Sequence, residues 1–205
     1  MKRGVSVVAL LLLGAFGWWA VAQRGILREG RERMTRTGNE AEYRGTEPAL
    51  SVTFHYPADW RLTEEQGRLE VYREVRIQGP RNAEDTYTGF LIVRSSPLKT
   101  SGGRFGSAEE LLRHKRRYAL PGTTVLVDGT RRVAGRTARE LVVTYTIPRL
   151  NQPGLKPLPI PVKTRTLVLM KDPYLYELSF SADAREYDRD AGAFERLLKT
   201  LAFSS

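Results

Sequence analysis

Through the folded body of this chain, apolar residues fall mostly in short strand-like stretches, alternating or continuous, and at helical spacing in only two places. That order of periods restricts the fold more than any single motif. Val52, Phe54 and Tyr56 alternate with Ser51, Thr53 and His55, so Ser51 to Tyr56 reads as a half-buried strand that Pro57 ends. Glu70 to Gln78 reads as a second strand. Phe90 to Val93 is a short continuous apolar run, which predicts a central strand covered on both faces. Ser107-Ala108-Glu109-Glu110 is a capping box, with Ser107 as the cap and Glu110 reaching back. It opens a helix through about Tyr118, with Leu111, Leu112 and Tyr118 inward, and Pro121-Gly122 stops it. Strands follow at Thr124 to Val127, at Arg131 to Ala134 with a turn at Gly135-Arg136, and at Ala138 to Ile147. Thr164 to Met170 and Tyr174 to Phe180 form a hairpin across Lys171-Asp172-Pro173. A closing helix runs from about Asp190 to Leu201, with Phe194, Leu197, Leu198 and Leu201 inward. Strands, helix, four or five strands, helix: this predicts an α+β domain on one mainly antiparallel sheet with helices packed over it.

The body is preceded by a membrane-directed segment. Lys2 and Arg3 are followed by Val5 to Ala22 without one charge, enough for a helix of roughly 27 Å at ~1.5 Å per residue. Two readings stand. As a signal peptide it has a charged start, an apolar stretch and a small-residue cleavage site, Ala20-Val21-Ala22. As a retained anchor it places Trp18 and Trp19 near the interface. Arg24, Arg28, Arg31, Arg33 and Arg36 follow closely, and the positive-inside bias alone would hold the body in the cytoplasm. The position at the N-terminus and the cleavage triplet favour export, so the body is read as extracytoplasmic, secreted or single-pass anchored. Residues 23–48 read as a charged linker with few apolar positions, and 49–205 as one domain. Residues 148–161 hold Pro148, Pro153, Pro157, Pro159 and Pro161, a stiff exposed connection.

Net charge is +10 over 205 residues, and it stays strongly positive without Lys2 and Arg3. On an exported body this points to an acidic protein or another anionic surface as partner; scattered basic residues without a binding motif argue against nucleic acid. The absence of cysteine excludes a lipoprotein anchor, disulfides, thiol catalysis and Cys-ligated zinc.

Phe54-His55-Tyr56-Pro57-Ala58-Asp59-Trp60 resembles the "YP-x-x-W" opening of the PsbP-like proteins. The mid-chain helix, the glycine-turned hairpin Val133-Ala134-Gly135-Arg136-Thr137-Ala138 and the aromatic tail after Phe194 to Leu201 are similar to the same family, over residues 50–204. The resemblance implies a three-layer α/β/α sandwich, shared by PsbP and the Ran-binding Mog proteins. It also implies a habit of docking on partners: PsbP is an extrinsic lumenal subunit of photosystem II, and bacterial relatives are often exported or membrane-tethered. These motifs are packing and turn signatures, so no functional residue is carried over.

Direct chemistry is sparse. His55 and His114 are the only histidines, and neither has a nucleophile or metal-ligand pattern beside it. There is no G-x-S-x-G, H-E-x-x-H, P-loop or G-x-G-x-x-G, and nothing names a cofactor. Glu186, Asp188 and Asp190 alternate as in a calcium loop, but Ala191 and Leu197 stand where glycine and glutamate are needed, so they read as a solvated helix start. Ser101-Gly102-Gly103-Arg104-Phe105-Gly106 has the composition of an anion-holding loop or of a plain flexible one. Arg113, Arg116 and Arg117 share the outer face of the first helix, with Lys115 at its margin; together with Arg104 they are the candidate partner-binding residues. The expectation is a non-catalytic binding or assembly module docking through this surface onto an acidic membrane-associated partner. The alternative is a small-molecule binder or motif-poor enzyme with a carboxylate site between sheet and helix.

Overall fold

The computed structural model describes residues 36–37, 39–66, 72–148 and 159–204. The leader at 1–22, most of the linker and the proline-rich stretch 149–158 lie outside the described residues. Among the described residues eleven strands and two α-helices follow in the order β1 (Arg36–Thr37), β2 (Glu40–Arg44), β3 (Val52–Pro57), β4 (Arg61–Gln66), β5 (Arg73–Arg81), β6 (Thr88–Pro97), α1 (Ala108–Arg117), β7 (Thr124–Val133), β8 (Arg136–Ile147), β9 (Ile160–Lys171), β10 (Tyr174–Asp183), α2 (Tyr187–Thr200) and β11 (Ala202–Phe203). The architecture is α+β and antiparallel, but with two sheets where the sequence suggested one. Seven strands pair in the order β4-β5-β6-β10-β9-β8-β7, and a smaller sheet runs β1-β2-β3-β11.

Strand alternation sends the two faces of the large sheet to different partners. Leu167, Leu169, Tyr176, Leu178 and Phe180 join Val52, Phe54 and Tyr56 of β3 and Phe194, Leu197 and Leu198 of α2 in the main core. Val168 and Leu175, on the opposite face, pack with Leu141 against Ala108, Leu111 and Leu112 of α1. The small sheet and α2 thus cover one face and α1 covers part of the other. Each fully buried leucine or phenylalanine here contributes about 1.5–3 kcal/mol. Trp60, from the "YP-x-x-W" segment, lies across Gly79; an added Cβ there would come within 2.8 Å of the ring. The tryptophan is a packing residue that closes β3 and β4 over β5.

Several expectations change. β4 was not foreseen, and β2 lies within the segment read as linker, where Ala41 and Tyr43 turn inward. The two short strands expected between 124 and 134 are one, β7, and the hairpin turn falls at Ala134-Gly135, both left-handed at φ 47° and 74°. Positive φ at both central positions matches the twist of β7 and β8. Tyr118 was expected inward and is 69% exposed, because α1 ends at Arg117 and the chain turns away from the sheet.

Candidate functional site

The placement of α1 sets the candidate surface. Its start is the expected cap: the Glu110 N–H donates to Ser107 Oγ at 3.1 Å. The Glu110 carboxylate reaches one residue further than expected, accepting from the Gly106 N–H at 2.8 Å. Lys99 N–H donates to the Phe105 carbonyl at 2.8 Å and Gly103 N–H to the Leu98 carbonyl at 2.9 Å. Ser101, Gly102 and Gly103 spend their amides on the Leu98 and Lys99 carbonyls and Gly106 spends its own on Glu110, so these four are not available to hold an anion.

Beneath α1 lies a row of charge. Cross-strand register places Glu74 of β5, Arg94 of β6 and Glu177 of β10 side by side on the α1 face. Arg94 donates to Glu74 at 2.7 Å and Arg76 to Glu74 at 2.8 Å. Lys115 of α1 reaches Glu177 at 2.7 Å, with Arg94 at 4.0 Å on its other side. Burial alone would raise the Glu177 carboxyl, but Lys115 and then Arg94 outweigh it and hold it below its ordinary range. Lys115, read as marginal to the outer face, therefore turns inward and ties the helix to the sheet.

With Lys115 inward, the remaining basic residues face out. Arg113 and Arg117, one helical turn apart, are exposed and carry no ion pair or hydrogen bond among the described residues. Arg116 is exposed too, but bonds Asp128 of β7 at 2.5 Å, and Arg139 meets the other oxygen of Asp128 at 3.0 Å. Arg104 Nη2 lies 2.7 Å from His114 Nε2. An arginine only donates, so Nε2 accepts. His114 in turn packs against Phe105 at 5.2 Å and Tyr118 at 4.6 Å. Three of the four candidate arginines thus share one helix surface, and Arg104 joins its flank through His114.

Sequence reasoning missed what borders them. Tyr118, Leu120, Val125, Leu126 and Val127 are all large, apolar and exposed, in the turn after α1 and the first residues of β7. The sequence shows these residues plainly; that β7 is the outer strand of its sheet it does not show.

The other candidates are structural. His55 Nδ1 lies 3.2 Å from Glu40 Oε2 across β2 and β3. Asp188 is exposed, with Lys163 at 3.7 Å, while Glu186 and Asp190 hold Arg189 at 2.6 and 2.8 Å. Together with Asp183, Tyr87 and Asn82 these two carboxylates line a cleft of about 160 Å³ of empty space. That is below the size of an ordinary ligand pocket. Asp183 is held down to about 2, chiefly by its hydrogen bond from Arg185. Among the described residues no three His, Asp or Glu side chains gather as metal ligands.

No family model matches the chain, and no curated protein matches it. Solved structures do. Cyanobacterial PsbP (CyanoP) from Synechocystis superposes with a TM-score of 0.51 at 15% identity, covering 83% of this chain and 95% of that one. LpqN, involved in cell envelope biogenesis of Mycobacterium tuberculosis, gives 0.48 at 16% identity over 85% and 93%. A Bacteroides thetaiotaomicron protein gives 0.43 at 14% over 83% and 50%. The fold is PsbP-like, as the opening motif and hairpin implied.

Proposed function

We propose that this protein is an exported or membrane-tethered binding module that docks on an acidic, membrane-associated partner through α1. The carrying observation is the pair Arg113 and Arg117, exposed, one turn apart and without a partner among the described residues. Cations whose charge is already satisfied add little to binding; free ones on a rigid element steer and orient an anionic partner. Arg116 and Arg104 extend the surface, each already partly engaged. The charge-free stretch Val5 to Ala22 supplies the route to the membrane, and the PsbP-like fold is compatible with an extrinsic docking role.

The test is capture. With a photo-crosslinking residue at Lys99, which bonds loop 101–106 at the start of α1, the protein in its native membranes should trap an acidic partner. Substituting Arg113, Arg116 and Arg117 with Glu should abolish the adduct; unchanged recovery counts against this surface. The alternative, a carboxylate site between sheet and α1, has Glu74 and Glu177 in its favour. Both are, however, paired with Arg76, Arg94 and Lys115, which weighs against their use as free carboxylates in chemistry there.

A further inference from the structure

The two outer strands of the large sheet are built differently. β4 presents Arg61, Glu64 and Glu65, the charged residues that discourage edge pairing. β7 begins with Thr124-Val125-Leu126-Val127, and the three apolar side chains are 47%, 52% and 43% exposed. A register shift between Val125 and Val127 bulges the strand here. A bulge lets two neighbours share a face, but not three, so apolar surface is presented around this end of β7 and not on one side of it. Tyr118 and Leu120 in the preceding turn widen it. A flat protein surface would cover one side of such a tip; a fluid leaflet envelops it. Arg113 and Arg117, exposed beside the tip, supply charge complementary to anionic headgroups. The same charge disfavours a second copy, since pairing two β7 strands would bring both sets of arginines together.

We propose that the tip formed by the last turn of α1, the turn 118–123 and the start of β7 inserts into the headgroup layer of an anionic phospholipid bilayer. Val125, Leu126 and Val127 enter the acyl boundary, Tyr118 sits at the interface, and Arg113 and Arg117 bind lipid phosphates. The inference shares only the exposed arginine rim with the docking reading and goes beyond it in giving the apolar tip a lipid surface.

The leader would itself bind vesicles, so the readout must be local. The chain has no cysteine. A single cysteine at Leu126, labelled with a polarity-sensitive fluorophore in the full chain, should shift to shorter wavelength on vesicles of mixed phosphatidylglycerol and phosphatidylcholine. A label at Asp85, in the turn after β5, should not. Replacing Arg113 and Arg117 with Ala should weaken the Leu126 response about thirty-fold at low salt, at ~1 kcal/mol per basic residue, and high salt should erase the difference. No shift at Leu126, an equal shift on pure phosphatidylcholine, or a concentration-dependent shift without vesicles overturns the proposal. If the Leu126 label shifts on the anionic vesicles with Arg113 and Arg117 in place, while the Glu variants still trap the protein partner, the docking reading fails and this one stands. Loss of the adduct without any lipid shift does the reverse.

Discussion

Lys115→Met isolates the contact that holds the docking helix to its sheet. The Lys115 ammonium lies 2.7 Å from Glu177, whose side chain is 9% exposed, and removing it leaves only Arg94 at 4.0 Å. Breaking a fully buried pair costs about 3–5 kcal/mol. Lys115 is 33% exposed and Arg94 remains, so about 2 kcal/mol is expected. With a urea m-value near ~2 kcal/mol/M, the midpoint at pH 7 should fall by about 1 M. The sign of the pH dependence follows from Glu177. In the native protein its folded value lies below the ordinary 4.5, so its contribution is present above 4.5 and is lost as pH falls through the folded value. Without Lys115 burial dominates and the folded value rises; the carboxyl is then tolerated protonated and penalised ionised. The gap between variant and native protein should be widest at neutral pH and narrow below about pH 4. Lys115→Met with Glu177→Leu should recover most of the loss, because no unpaired charge remains. A gap that stays constant with pH, or a double variant as weak as the single one, would refute the reasoning.

Other outcomes follow from the same geometry. Phe194→Ala removes a fully buried ring between α2 and Phe180 and should cost about 3–5 kcal/mol, lowering Tm by roughly 10 °C in a calorimetric scan. Gly79→Ala drives a methyl into the Trp60 ring and should cost about 1–3 kcal/mol, visible as a shifted near-ultraviolet dichroism of tryptophan; an unchanged signal would show that the ring yields freely. Asp183→Asn should lose about 1 kcal/mol at pH 7. Asp183 titrates near 2 against an ordinary 3.8, so the loss should disappear in urea melts as pH falls towards 2.

The elements that the sequence displays are those whose core contact follows their own period. β3 shows Val52, Phe54 and Tyr56; α2 shows Phe194, Leu197 and Leu198, with Leu201 just past its end; each set is buried. β4 is hidden because an outer strand needs little apolar content: Arg61–Gln66 has Leu62 as its one apolar residue. β2 is hidden because Ala41 and Tyr43 are too few to outweigh the charges around them. For the surface, helical spacing alone put Arg113, Arg116 and Arg117 outward. The inward turn of Lys115 depends on Glu177, sixty-two positions away in sequence, and on a β6–β10 register that local pattern does not encode. The exposure of Val125 to Val127 is likewise tertiary, since the same residues in a central strand would be core.

The docking surface is tested most directly by hydrogen exchange of the full chain, free and on its native membranes. Residues 113–127, the end of α1 through the start of β7, should exchange more slowly on the membranes, with the Arg113→Glu, Arg117→Glu variant losing that protection. Unchanged exchange over 113–127, or protection that falls on β4 instead, would contradict the account.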